Sequence, residues 1–202
     1  MVAWLNFLVL LLSSFLAVYY YVKSVSPARL EEQIGEISYR RCGRYRIVSC
    51  LFMIVIVANY ILYYFFPLPV RLPRHFPWCR YISFAIAAII AVPSGYLIWC
   101  GIRDGGKESM TPQKDRGLHG GIYLYIRHPQ ALGELPLWFA IALLLDCPFL
   151  VLWSLVYIPL WVYICVAEEK DLLIRYGRAY EDYRKRTGFW FPRSLRKDRS
   201  CH

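Results

Sequence analysis

Five apolar segments, at 1–22, 47–66, 82–102, 131–146 and 149–167, contain no lysine, arginine or histidine, and together they occupy nearly half of a 202-residue chain. A hydrocarbon layer about 30 Å thick takes about 20 residues of helix to cross, at about 1.5 Å per residue. Four of the segments meet that length comfortably, and 131–146 is short. Inside lipid the backbone must satisfy its own hydrogen bonds, so segments of this kind are helices. The rest of the composition agrees, with 58% hydrophobic and only 19% charged residues. Soluble domains average about 45–50% apolar and about 25% charged, so a soluble globular domain and a disordered chain are both excluded. The expected fold is all-α: a polytopic membrane protein with about five transmembrane helices, followed by a C-terminal cytosolic amphipathic helix. The first segment begins apolar, has no basic start and shows no small-residue cleavage pattern, so it is read as a retained span.

The net charge of +10 raises nucleic acid or an anionic membrane surface as partners. Placement decides between them. Of the 24 lysines and arginines, 21 fall in 23–46, 103–130 and the tail after 168, and three fall in 67–81. Alternate loops therefore carry the basic residues, as short cytoplasmic loops do. This predicts an outside N-terminus, a cytosolic C-terminus and contact with anionic lipid, and no nucleic-acid module accompanies it. The seven cysteines form no C-x-x-C, and Cys201 stands second from the end, so a metal framework and a prenylation signal are both unexpected. Ser83, Ala87, Ala91 and Gly95 in the third segment make a small-residue stripe that predicts close packing against another helix.

Two regions fall out of this sequence. Residues 1–102 hold three spans and their loops; residues 103–202 hold a polar glycine-bearing loop, a helical hairpin and the tail. The loop lacks G-x-G-x-x-G, which excludes a Rossmann-type cofactor domain. Arg127, His128 and Pro129 stand immediately before the fourth span, and Glu168 and Glu169 immediately follow the fifth. A turn as short as Asp146-Cys147-Pro148 makes the two spans an antiparallel hairpin with axes about 8–10 Å apart. The basic tripeptide and the acidic pair are thus expected to meet at the cytosolic edge, about 40 residues apart in sequence.

The pattern Gly-Ile-Tyr-x-x-x-Arg-His-Pro-x-x-x-Gly at 121–133, followed by Glu-Glu-x-x-Leu-x-x-x-x-Gly-x-x-Tyr-x-x-Tyr at 168–183 and Pro192, resembles the isoprenylcysteine carboxyl methyltransferase family. It also resembles the wider group of membrane phospholipid methyltransferases. The resemblance covers about residues 115–192. It implies S-adenosyl-L-methionine as cofactor, a lipid-like or prenylated acceptor arriving from the bilayer, and a catalytic region in 103–202. Carried over by position, the cofactor-binding residues are Asp115, Arg116, Gly117, Leu118, Tyr123, His128, Pro129, Gln130, Ala131, Glu168 and Glu169, with His128, Glu134 and Arg127 as catalytic candidates. A sulfonium is drawn to aromatic faces and carboxylates, and an arginine fork holds a carboxylate. Two positions depart from the family pattern: Ala131 replaces a usual tyrosine, and Ile164 stands where an arginine commonly engages the substrate.

Glu134 is the costliest residue to place, since a carboxylate at mid-bilayer costs at least about 2.5–3.5 kcal/mol on insertion scales. It is expected to be protonated, paired or beside a polar cavity. The stretch Gln130-Ala131-Leu132-Gly133-Glu134 also resembles the Asn-Tyr-x-Gly-Glu motif of membrane steroid and sterol reductases. That resemblance implies an NADPH-dependent reductase as the alternative activity. A non-catalytic membrane partner protein is the third reading.

Overall fold

The computed structural model describes residues 1–109, 111–113 and 120–193. Within them the chain is helical, with eight α-helices: α1 (Val2–Ser24), α2 (Pro27–Ile34), α3 (Ile37–Phe65), α4 (Arg80–Gly105), α5 (Pro129–Leu144), α6 (Pro148–Ser154), α7 (Tyr157–Tyr176) and α8 (Arg178–Arg186). Helices α1, α3, α4 and the α6–α7 unit are long and apolar enough to cross a membrane, and α5 is a shorter apolar helix. The protein is an all-α, multi-pass integral membrane protein. Its outward faces carry large apolar side chains such as Phe15, Ile54, Ile89 and Val92, as a surface facing lipid requires.

Helix α1 packs along α3, and α4 packs along α5; α7 lies against α1, α5 and the short α2. The shared core brings Leu10, Tyr60, Leu150 and Tyr157, all fully buried, together with Trp138 and Trp161. Small polar groups cross-link it. Ser14 Oγ and Tyr157 Oη lie 2.9 Å apart, Tyr60 Oη and Ser154 Oγ 3.1 Å apart, and Ser49 donates to the Ala17 carbonyl at 2.8 Å. Lipid tails remove the hydrophobic reason for helices to associate, so packing and such bonds, each worth about 0.6 kcal/mol, hold a bundle together.

The boundaries depart from the sequence expectation in three places. The second span starts at Ile37 and not at 47, because no proline interrupts the basic stretch and the helix runs on through it. The fifth span is broken at Leu155 and Val156, where bonds of the i→i−3 kind replace the α ladder. Pro159 supplies no N–H for the Leu155 carbonyl, so the ladder cannot be continuous there. The helix of the fifth span does not stop before the glutamates. Glu168 and Glu169 are interior to α7, which continues to Tyr176 and ends where Gly177 turns with φ +52°; only then does α8 start.

The small-residue stripe is partly realised. Ser83 and Ala87 are fully buried, whereas Gly95 meets nothing within 4 Å. Residues four apart advance about 400° around a helix, so each step drifts about 40°, and after three steps the stripe has left the contact face. The face passes instead to Ser94, Ile98 and Gly101. There the close approach is set by Gly133 of α5, whose added Cβ would lie 2.6 Å from the Ser94 carbonyl oxygen.

At the end of the bundle near the α5–α6 turn, Asp146, with φ +51°, accepts a hydrogen bond from Ser83 Oγ at 2.8 Å and faces His75 Nδ1 at 3.4 Å. The remaining ionisable groups that face one another gather at the opposite end.

Candidate functional site

The C-terminal ends of α1 and α4, the first turns of α3 and α5, and the second half of α7 converge at that opposite end. Two 3₁₀ turns, Gly106–Ser109 and Gly121–Leu124, close it from the side. The second turn is fixed by Asp104, which accepts from the Ile122 N–H at 2.8 Å, while Gly121 adopts φ +61°. That turn delivers the Tyr123 ring inward, where its hydroxyl donates to the Gly101 carbonyl at 3.1 Å. After α8 the chain folds back. Gly188 pairs with Ile126 as a parallel bridge, the Arg127 N–H donates to the Gly188 carbonyl at 2.9 Å, and the His128 N–H donates to that of Phe189 at 3.3 Å. The backbone of the Arg127-His128 pair is thereby held by residues about 60 positions later.

Those two side chains meet the two glutamates. His128 Nδ1 lies 3.2 Å from Glu168 Oε2, and Nε2 lies 3.2 Å from Glu169 Oε1. Arg127 Nε donates to the same Glu169 oxygen at 2.6 Å, and its Nη1 donates to the Arg184 and Thr187 carbonyls. Burial by itself pushes the His128 imidazole down, but hydrogen bonds to Cys165, Glu168 and Glu169 outweigh it and hold the group well above its ordinary value. With both ring nitrogens facing acceptors, His128 is an imidazolium at neutral pH. It bridges the two glutamates and holds Glu168 in place.

Around this pair opens a cleft with about 1060 Å³ of empty space, its open mouth included. Of the site residues expected from the sequence, Tyr123, Arg127, His128, Pro129, Gln130, Ala131 and Glu168 line it. Glu169 does not: it lies behind the wall, turned to Arg127 and His128. Of the two glutamates expected at the site, Glu168 is the one that lines the cleft. Adjacent residues on a helix point about 100° apart, so one of two neighbours faces inward to the cations and the other to the cavity. Asp115, Arg116, Gly117 and Leu118 lie outside the described residues. Glu134 is absent from this cleft and lines an apolar groove of about 550 Å³ beside it, between α3 and α5, with Met53, Ile54, Leu137 and Ile141. Trp161 borders both spaces, and Glu134 Oε2 is buried with no hydrogen-bond partner among the described residues.

The aromatic wall consists of Tyr21, Tyr123, Tyr176, Tyr180 and Tyr183. Burial pushes the Tyr123 and Tyr180 phenols far up and that of Tyr183 up to about 12, so these rings stay neutral. They offer π faces without competing charge.

Several wall residues were not legible as site residues. Arg46, assigned to a loop by the charge count, is helical, buried and turned into the cleft. Arg175 pairs with Glu108 at 2.8 Å, and Gln130 Nε2 donates to Ser109 Oγ at 2.8 Å. Asp171 Oδ1 accepts from the Arg29 N–H at 3.0 Å; from α7 it caps the start of α2, whose own Ser26 makes no side-chain cap bond. The N-terminal half, to which sequence reading assigned no site residue, therefore supplies one side of the cleft.

The fold and this cleft define a class: a polytopic helical membrane protein with a charged, tyrosine-walled cavity at one end of its bundle. No protein-family model, no curated protein and no solved structure matches the chain.

Proposed function

We propose that the chain is an integral membrane methyltransferase that uses S-adenosyl-L-methionine and acts on a lipid-like or prenylated acceptor. One observation carries the reading. A polar cleft with neutral tyrosine faces and a cavity-facing Glu168 adjoins an apolar groove between α3 and α5, and Trp161 is the partition they share. A water-soluble donor and a hydrocarbon-soluble acceptor need such adjacent compartments. The residues fit the donor, since a sulfonium is attracted to aromatic faces and Glu168 offers a carboxylate to an amino or ribose group.

When bound, the donor supplies an activated methyl group for in-line displacement. The chain supplies alignment and a dry environment, the two effects a reaction of this type most needs. His128, fixed between two carboxylates, orients Glu168. The Arg127–Glu169 pair and the 187–190 segment lock the backbone on which His128 rides. Glu134, at the groove, is the group within reach of an acceptor proton. The basic residues of 23–46, 103–130 and the tail support a cytosolic location for this end of the bundle.

Calorimetric titration of detergent-purified protein with S-adenosylhomocysteine and, separately, NADPH tests the reading. Binding of the former, lost in Glu168→Ala, supports it. Binding of NADPH alone transfers the assignment to a reductase, the activity that the Gly133-Glu134 pair resembles. No binding of either refutes both.

A further inference from the structure

Four cationic side chains among the described residues line the cleft: Arg46, Arg127, His128 and Arg175. Three already have carboxylates. Arg127 meets Glu169, His128 meets Glu168 and Glu169, and Arg175 meets Glu108. Arg46 has no carboxylate within ion-pair distance among the described residues. Its Nη1 donates to the backbone carbonyls of Glu108 and Ser109 at 3.0 and 2.7 Å, and its Nε reaches Ser24 Oγ at 3.4 Å. Its Nη2 makes no hydrogen bond among the described residues, and the residue lines the cleft. The residue as a whole is only 9% exposed.

A guanidinium is always charged, and a buried charge without a counter-ion is costly. Neutral groups alone face Arg46 among the described residues: two carbonyls, the Ser24 hydroxyl and the Tyr21 ring, 5.8 Å from the guanidinium carbon. We infer that Arg46 is the carboxylate-binding residue of the cleft, contributed by α3 and completed by a ligand. This rests on the methyltransferase reading for the identity of the ligand but not for the chemistry. Two carboxylates can fill the position: the amino-acid carboxylate of the donor, or an acid group on the acceptor. In either case the ligand ties α3 to the turn Gly106–Ser109, whose carbonyls hold the same guanidinium.

The experiment uses the purified full chain, wild type and Arg46→Met, with two matched pairs of ligands. S-adenosylhomocysteine is compared with 5′-methylthioadenosine, which lacks the amino-acid group; an N-acetylated prenylcysteine is compared with its methyl ester. Loss of one charge-assisted hydrogen bond corresponds to a roughly 10- to 100-fold weaker affinity. That loss for the acid of one pair, with the uncharged partner of the pair unchanged, supports the site and names its source. The unchanged partner also shows that the fold is intact. Should Arg46→Met not yield folded protein, Arg46→Lys keeps the charge without the fork and gives the same comparison with a smaller loss. Equal affinities of wild type and variant for both acids overturn the inference. Wild-type protein that binds neither adenosyl ligand refutes the methyltransferase reading instead, and the Arg46 site is then decided by the prenylated pair.

Discussion

Glu168 and Glu169 are chemically identical neighbours, and the structure gives them opposite consequences when neutralised. Glu169→Gln removes the carboxylate that meets Arg127 at 2.6 Å and His128 at 3.2 Å, with the two cationic side chains 7% and 3% exposed. Breaking a buried ion pair from one side costs about 3–5 kcal/mol, because the remaining charge stays buried. His128 keeps Glu168 at 3.2 Å, so the lower end applies, about 3 kcal/mol. For a chain of this size, each kcal/mol moves the melting point by about 2–4 °C, which gives a fall of about 10 °C. Glu168→Gln changes a side chain that is 38% exposed and whose pairing with His128 is backed by Glu169. Partly solvated pairs are worth about 1 kcal/mol or less, so its melting point shifts by no more than about 4 °C, while binding of S-adenosylhomocysteine is lost. Thermal unfolding of both variants in one detergent, followed by tryptophan fluorescence, makes the comparison. Equal losses of stability would refute the division of the pair into a structural and a ligand-facing glutamate.

Two further outcomes follow from the same geometry. The His128 imidazole is held well above its ordinary value of about 6.5. Its stabilising contribution is complete below that value and is lost as the pH rises through the raised folded value. Melting temperature should therefore decline on the alkaline side, and His128→Gln should flatten that decline; an identical slope in the variant would count against the imidazolium. Gly133→Ala should destabilise by about 1–3 kcal/mol through overpacking, because the new methyl meets the Ser94 carbonyl oxygen at 2.6 Å. Gly95→Ala, with open space around it, should be close to neutral, and a reversal of that order would mean that α4 and α5 are packed differently.

Much of the site was legible because hairpin geometry is short-range physics. Two apolar helices joined by a few residues must return the chain to its starting depth, so Arg127-His128 and Glu168-Glu169 were bound to meet. What could not be read was direction around a helix. Charge counting treats 23–46 as a loop, whereas α3 begins at Ile37 and rotates Arg46 inward. Four-residue spacing suggests a continuous stripe, whereas the drift of about 40° per step takes Gly95 off the contact face.

Apolar length and charge placement by themselves determined a bundle of membrane-spanning helices with its basic loops at one end, because transfer of backbone and charge between water and hydrocarbon is a property of each segment alone. Tertiary structure alone decided which of two adjacent glutamates faces the cavity, that Gly188 and Phe189 brace the Arg127-His128 backbone, that Asp171 caps α2, and that Arg46 enters the cleft with no carboxylate beside it among the described residues. Those outcomes depend on the rotation and docking of one helix against another. They are set by the packing of all the side chains together, and no single segment of sequence carries them.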